Sequence, residues 1–265
     1  MGENTLSENM PRIEKSPLRV KIALGYSGLE VRSTVEGIEK LPLRPCVVAV
    51  THLSNVDMPQ VALAMADRRK VGFVGYENPL SLIVGRENFF PIARYRGIKN
   101  GYDLMVEQFK RMHDGITQEG RTMVIAAHNP TQDWQLPRNP GIGAVVLAHM
   151  TNAPLVPVAV DIQSLTPVAK ARDISRIKNI ITNKKYKAKI YFCEPIQLPE
   201  ITNKQLKLAM RVFISGEENV SEGEIKSAKE TFKILENESE QMMWSIASKL
   251  PEQKRGKWNT GRTVA

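Results

Sequence analysis

The chain has 265 residues, 42% hydrophobic and 25% charged, which is enough to bury a full core as one domain and too apolar for widespread disorder. Its net charge of +9 favours anionic partners: nucleic acid, an acidic carrier protein or anionic lipid. Its two cysteines, Cys46 and Cys193, lie in strand-like apolar runs, which excludes a disulfide framework or zinc site and reads as buried free thiols in a reducing compartment.

Residues 1–16 are polar and lack the apolar run of a cleavable signal. Leu6 stands where a myristoylation motif after Gly2 needs Ser or Thr. Leu18 to Leu24 suits an edge strand or a short surface helix. Leu29 to Gly37 alternates and is rich in β-branched residues, so a strand closed by Gly37 is expected. After Pro42 and Pro45, Val47 to Thr51 reads as a buried strand. Asp57 to Ala66 follows as a short helix, Lys70 to Gly75 as a strand, and Asn78-Pro79-Leu80 as the start of a brief helix.

Phe89 to Arg94 is a short apolar segment ending in a cation. Tyr102, Met105, Phe109, Met112 and Ile116 recur at three- and four-residue spacing, an amphipathic helix with a core-facing stripe. Thr122 to Ala127 is the next strand, His128 to Pro140 a polar loop, Gly141 to Met150 a helix and Leu155 to Val160 a strand. The uncharged stretch Gly141 to Val160 is about membrane-spanning in length, but His149, Asn152, Pro154 and Pro157 break it. No transmembrane segment is expected. Ala188 to Cys193 is a late strand, and from Thr202 the chain becomes helical and charged, ending in a basic tail from Lys254 expected to be mobile.

Strands alternating with crossover helices indicate an α/β fold with a mixed, largely parallel sheet flanked by helices and a C-terminal helical extension. The expected organisation is a polar lead-in (1–20), a main domain (21–200), and a charged helical extension with a basic tail (201–265).

Chemistry concentrates where the strand Val47 to Thr51 gives way to His52-Leu53-Ser54-Asn55-Val56-Asp57. Strand-to-helix junctions of α/β sheets point side chains into a crevice at the carboxyl edge. There a His with an Asp can act as general base and orienting partner. The bland alternative is a loop His beside a helix-capping Ser54, Asn55 or Asp57. Ser54 as a nucleophile would need the Gly-x-Ser-x-Gly elbow, which is missing. His113 and His149 fall in helical stretches as surface or packing residues.

The order of segments resembles the glycerolipid (lysophospholipid, or 1-acylglycerol-3-phosphate) acyltransferase family. His52 and Asp57 are similar to its first motif, His-x-x-x-x-Asp after a strand, and Val35-Glu36-Gly37-Ile38-Glu39 to its upstream strand end. Phe90-Pro91-Ile92-Ala93-Arg94 resembles its second motif, and Leu155-Val156-Pro157-Val158 its fourth. The resemblance runs collinearly over about residues 25 to 200, including Glu194-Pro195-Ile196. The third motif departs: Ala126-Ala127-His128-Asn129-Pro130-Thr131 stands where the family has Phe-Pro-Glu-Gly-Thr-Arg. A neutral Thr131 cannot replace an Arg fork on phosphate. Arg94, Arg96 or Arg138 could supply the cation, or the acceptor could lack phosphate there. His128, Asn129 and Thr131 could touch the acceptor, with His128 otherwise a plain loop residue.

The resemblance implies direct acyl transfer from acyl-CoA or an acyl-carrier protein, with His52 as general base, Asp57 holding the imidazole, and no metal or other cofactor. Backbone N–H groups near the junction would serve the oxyanion. A lipid acceptor implies a cytoplasmic, peripherally membrane-associated enzyme on an anionic surface. The basic clusters for that surface are Arg68-Arg69-Lys70, the stretch Lys170 to Lys189, and Lys254, Arg255, Lys257 and Trp258, unless they are merely solvated faces. No nucleic-acid module is visible. The alternatives are a non-catalytic lipid-binding or scaffold relative, and an acyltransferase for a non-phosphorylated acceptor.

Overall fold

In the computed structural model, the residues described are 15–18, 20, 21, 25, 31–54, 56–76, 84, 85, 87–131, 134–163, 186–218 and 220–259. Asn55, the helix start at Asn78 to Leu80, residues 164–185 of the basic stretch and the last six residues lie outside them.

Among the described residues, seven strands form one sheet: β1 (Val31–Glu36), β2 (Val47–Val50), β3 (Val71–Gly75), β4 (Phe89–Pro91), β5 (Thr122–Ala126), β6 (Leu155–Gln163) and β7 (Tyr186–Phe192). Their order across the sheet is β1-β7-β6-β2-β5-β3-β4. From β6 to β4 neighbours are parallel, whereas β7 runs antiparallel to β6 and β1 parallel to β7. The sheet is therefore mixed and largely parallel, as expected.

β2 sits mid-sheet, and its four residues are fully buried because both faces are covered. Its period-two alternation divides the core. Val47 and Ala49 face one layer, and Val48 and Val50 face the other. The second layer contains helix α1 (Asp57–Met65), through Val61 and Met65. The first contains α2 (Gly101–Thr117) and α3 (Gly143–Thr151). The α2 stripe of Met105, Phe109, Met112 and Ile116 is buried as its spacing required.

Two further helices, α4 (Asn203–Ser215) and α5 (Glu222–Ala247), complete the first layer. Each starts with a capping box, Thr202 with Gln205 and Ser221 with Glu224, so the helix starts are written locally. Leu206, Leu235, Met242 and Ile246 join the same core as β2 and α3. At about 1.5–3 kcal/mol per buried large apolar side chain, these contacts make the extension part of the domain's core.

The tail is a correction. Residues from Lys254 to Asn259 are packed: α6 (Glu252–Arg255) leads into a 3-10 turn (Gly256–Asn259) in which Trp258 is 2% exposed. Trp258 stacks edge-on to Trp244 at 5.1 Å and donates from Nε1 to the Pro137 carbonyl at 2.8 Å. Burial of an apolar indole with its N–H satisfied outweighs exposure of this short basic run.

Other details agree with sequence logic. Gly37 closes β1 at φ 74°, where an added Cβ would lie 2.4 Å from the Phe192 carbonyl, so only glycine fits. Cys46 and Cys193 are buried free thiols, and burial raises both to about 11. His149 is a packing residue, its Nε2 2.7 Å from Glu238 Oε2 with both side chains buried.

Candidate active site

Strand register brings the two histidine loops together. Val50 of β2 pairs with Ala126 of β5, so the residues two positions further on, His52 and His128, leave the carboxyl edge side by side. The backbone N–H of Ala127 closes the last rung by donating to the Val50 carbonyl at 2.7 Å. The His52 N–H then donates to His128 Nε2 at 3.1 Å, while His128 Nδ1 is 2.7 Å from the Asn129 carbonyl. These partners fix one tautomer: protonated at Nδ1, bare at Nε2. Burial holds His128 at about 4, so it stays neutral. Both ring nitrogens of His128 are thus committed to backbone, and neither is free to bind an acceptor.

Asp57 opens α1 and is fully buried. Its Oδ2 accepts the N–H groups of Leu53 at 2.8 Å and Ser54 at 3.0 Å, and its Oδ1 accepts the Ser54 hydroxyl. Ser54 Oγ in turn accepts the Val56 N–H at 3.3 Å. Burial pushes the Asp57 carboxyl up to about 7, against these hydrogen bonds and the field of Lys254. The expected contact from Asp57 to His52 is not made. A carboxylate at the first helical position is captured by the turn that precedes it, where N–H groups would otherwise be orphaned.

This knot agrees with the rejection of Ser54 as a nucleophile and corrects the expectation that the junction amides serve an oxyanion. Ser54 is 3% exposed with its hydroxyl spent on Asp57, so it is no nucleophile. The N–H groups of His52, Leu53, Ser54 and Val56 are all engaged, so these junction amides are not available to an oxyanion.

His52 is half-buried, and its Nδ1 is buried without a hydrogen-bond partner among the described residues. Burial lowers its pKa, with the Ser54 backbone acting in the opposite sense, so the neutral imidazole is favoured. With Nδ1 turned inward, Nε2 is the nitrogen left to face a substrate. Thr131 Oγ1, on the neighbouring loop, is a second buried polar atom without a partner among the described residues. Glu238 Oε1 of α5, away from this site, is a third, so an orphan, which costs about 1–3 kcal/mol, does not by itself mark a functional site.

The cations separate. Arg94 is exposed just beyond β4, which lies three strands from β2, roughly 14 Å across the sheet. Arg96 stacks over Phe213 of α4 at 5.6 Å and is engaged there. Arg138 is exposed on the rim of a cavity of about 640 Å³ that Thr131 and Lys257 also line. Asn129 is exposed and contributes its carbonyl to His128. In the basic clusters, Arg69 is buried, with its guanidinium on the Arg44 and Pro42 carbonyls. Among the described residues, no group of three His, Cys, Asp or Glu is placed to hold a metal.

Sequence reading missed Lys254 and Lys257 as contributors to this region. Lys254 Nζ pairs with Asp161 of β6 and bonds the Ile162 carbonyl at 2.8 Å, and its charge reaches Asp57. In the chain, 93 positions separate Lys254 from Asp161. No spacing pattern signals a contact of that span.

No family model matches the sequence, and no curated protein matches it. Among solved structures the chain is similar to the 1-acyl-sn-glycerophosphate (LPA) acyltransferase PlsC from Thermotoga maritima. The identity is 16% and the TM-score 0.44, over 84% of this chain and 79% of that one.

Proposed function

We propose that this chain is an O-acyltransferase that moves a fatty acyl group from acyl-CoA or an acyl-carrier protein to a hydroxyl of a lysophospholipid or related glycerolipid. The observation that carries this reading is His52: an imidazole whose neutral form burial favours, with an Nδ1 that has no partner among the described residues, at the carboxyl edge of a mid-sheet strand. The collinear motif resemblance read from the sequence supplies the reaction class.

In this reaction His52 Nε2 takes the proton of the acceptor hydroxyl as its oxygen attacks the thioester carbonyl. The C–O bond forms, the C–S bond breaks, and the departing thiolate recovers the proton from the imidazolium. No acyl-enzyme forms. Asp57 is a positioning residue: through Leu53 and Ser54 it fixes the turn that carries His52. His128 fixes the same turn from the neighbouring strand. The enzyme works peripherally at an anionic cytoplasmic membrane surface; among the described residues no helix is long and apolar enough to cross a membrane.

The second reading is a non-catalytic lipid-binding relative, favoured by the Asp57 carboxylate bonding Ser54 rather than His52. One experiment separates the two: thiol release from acyl-CoA across a panel of lysophospholipid, glycerolipid and simple alcohol acceptors, comparing wild type with His52→Ala. Turnover that disappears in the variant supports the enzyme. Folded protein with no His52-dependent turnover on any acceptor would sink it.

A further inference from the structure

The sheet ends differently on its two sides. β4 is three residues long and closes on Pro91, which has no N–H to offer, so that edge is a poor template for another strand. β1 is six residues long and pairs only with β7, so among the described residues its outer N–H and C=O groups face no strand. From Arg32 to Glu36 every residue is exposed. Such an edge spans about 20 Å and can receive one more strand.

The side chains of β1 select which strand fits. Val31 is buried in the α1 layer, and Ser33 Oγ donates to Gln60 Oε1 of α1 at 3.1 Å. Val31, Ser33 and Val35 therefore face that helix, and Arg32, Thr34 and Glu36 face the other side of the sheet. There Arg32 stands beside Lys187 of β7 and Thr34 beside Lys189, all exposed. Asp161, in register with Lys189, is held by Lys254. Glu36 is four residues along the strand from Arg32, about 13 Å away. Neither side chain has an ion pair among the described residues.

We propose that the outer edge of β1 pairs with β1 of a second copy of this chain, antiparallel about a two-fold axis through Thr34. That register sets each Arg32 opposite a Glu36, each Ser33 opposite a Val35, and Thr34 opposite itself. Opposite charges and Thr–Thr pairs facing each other across antiparallel strands both stabilise the pairing. Each Glu36 also enters the other copy's cationic row, next to Arg32 and Lys187. The neighbouring two-fold registers, centred on Ser33 or Val35, put Arg32 or Glu36 opposite Thr34 and leave the charges unmatched. One strand pair buries less than an obligate interface needs, so the dimer forms in proportion to concentration. It is independent of the acyl-transfer reading.

The test is sedimentation equilibrium of the full chain over about a hundredfold range of concentration, up to about 0.5 mM. It compares wild type with Arg32→Glu, Glu36→Arg and the double variant. The wild type should pass from monomer to dimer. Each single reversal sets like charges opposite each other and should weaken association at least about tenfold. The double variant restores opposite charges in the same register and should associate like wild type. Thr34→Cys reads the register itself: facing residues lie about 4.5–5.5 Å apart at Cα, within disulfide reach, so mild oxidation should link two chains. Arg32→Cys, whose copies lie about 13 Å apart, should not link, and the native Cys46 and Cys193 are buried. A wild type that stays monomeric throughout the range overturns the proposal. A dimer that both single reversals leave intact, that the double variant fails to restore, or that Thr34→Cys fails to link overturns it as well.

Discussion

His128 Nε2 accepts the backbone N–H of His52 at 3.1 Å, so the second histidine is a strut for the first. Its ring is 2% exposed and carries a second hydrogen bond to Asn129. Replacing it with Phe leaves the His52 N–H and the Asn129 carbonyl without their partner. The expected cost is about 1–3 kcal/mol per orphaned group in urea denaturation. His128→Gln, which can restore the acceptor, should recover part of it. A His128→Phe variant as stable as wild type would contradict the strut.

His128 and Asp57, both buried, set opposite pH dependences. His128, held at about 4 against an ordinary value near 6.5, binds fewer protons folded than unfolded between those values. Its contribution is therefore present above pH 6.5 and lost as pH falls toward 4, about 3 kcal/mol in all. Asp57, raised from 3.8 to about 7, binds more protons folded than unfolded, and its contribution is lost as pH rises through 7. The two nearly cancel in the wild type. Unfolding free energy measured at pH 4.5 and 7 should change little in wild type and fall on acidification in Asp57→Asn. In His128→Gln it should rise on acidification. Parallel profiles for all three proteins would refute the assignment.

Burial lowers the His52 pKa, so the free base persists below the usual imidazole range. The acid limb of kcat/KM should fall below about pH 6.5, with activity present above it and lost beneath. Because Asp57 acts through Leu53 and Ser54, Asp57→Asn should lower kcat while leaving the position of that limb unchanged. A limb displaced to lower pH in this variant would mean that the carboxylate acts on the imidazole directly.

Much of this arrangement is legible in the residues themselves. The β2 run from Val47 to Val50, the α2 stripe and the capping boxes at Thr202 and Ser221 are each set by local pattern. The proximity of the His52 and His128 loops is not local in this way, because it rests on β2 and β5 being neighbours in the sheet. Nor are the partners inside the site set locally. Whether Asp57 meets His52 or Ser54 depends on a turn geometry shared by both outcomes in sequence. Trp258 and the lysines beside it look like a solvated basic tail until a groove against Leu136 and Pro137 exists to receive them.

Trp258 is accordingly expected to be a core residue. Trp258→Ala should destabilise the protein by about 3–5 kcal/mol, the range for emptying a large aromatic site. Trp258→Phe, which keeps most of the volume and loses the bond to Pro137, should cost about 1 kcal/mol for that bond, with any packing loss added to it. Thermal melts read both. An unchanged melting temperature in Trp258→Ala would place the indole outside the core.

If the acyl-transfer reading holds, membrane attachment is expected from residues other than the buried Trp258. At the carboxyl edge beyond β3 and β4, Tyr76 and Ile98 are 51% and 47% exposed, with the exposed cations Arg94 and Lys99 beside Ile98 in the chain. Apolar side chains rimmed by cations on the edge that carries His52 would present the site to lipid. Near an anionic leaflet each cation contributes about 1 kcal/mol, so reversing both charges in Arg94→Glu/Lys99→Glu should weaken binding by at least about thirtyfold. Flotation with anionic vesicles should show attachment that weakens with salt and is lost in this variant, while neutral vesicles bind poorly throughout. Equal, salt-insensitive binding to both vesicle types would exclude electrostatic attachment. Loss on reversing Lys249 and Lys257 instead would move the docking face to the C-terminal side of the molecule.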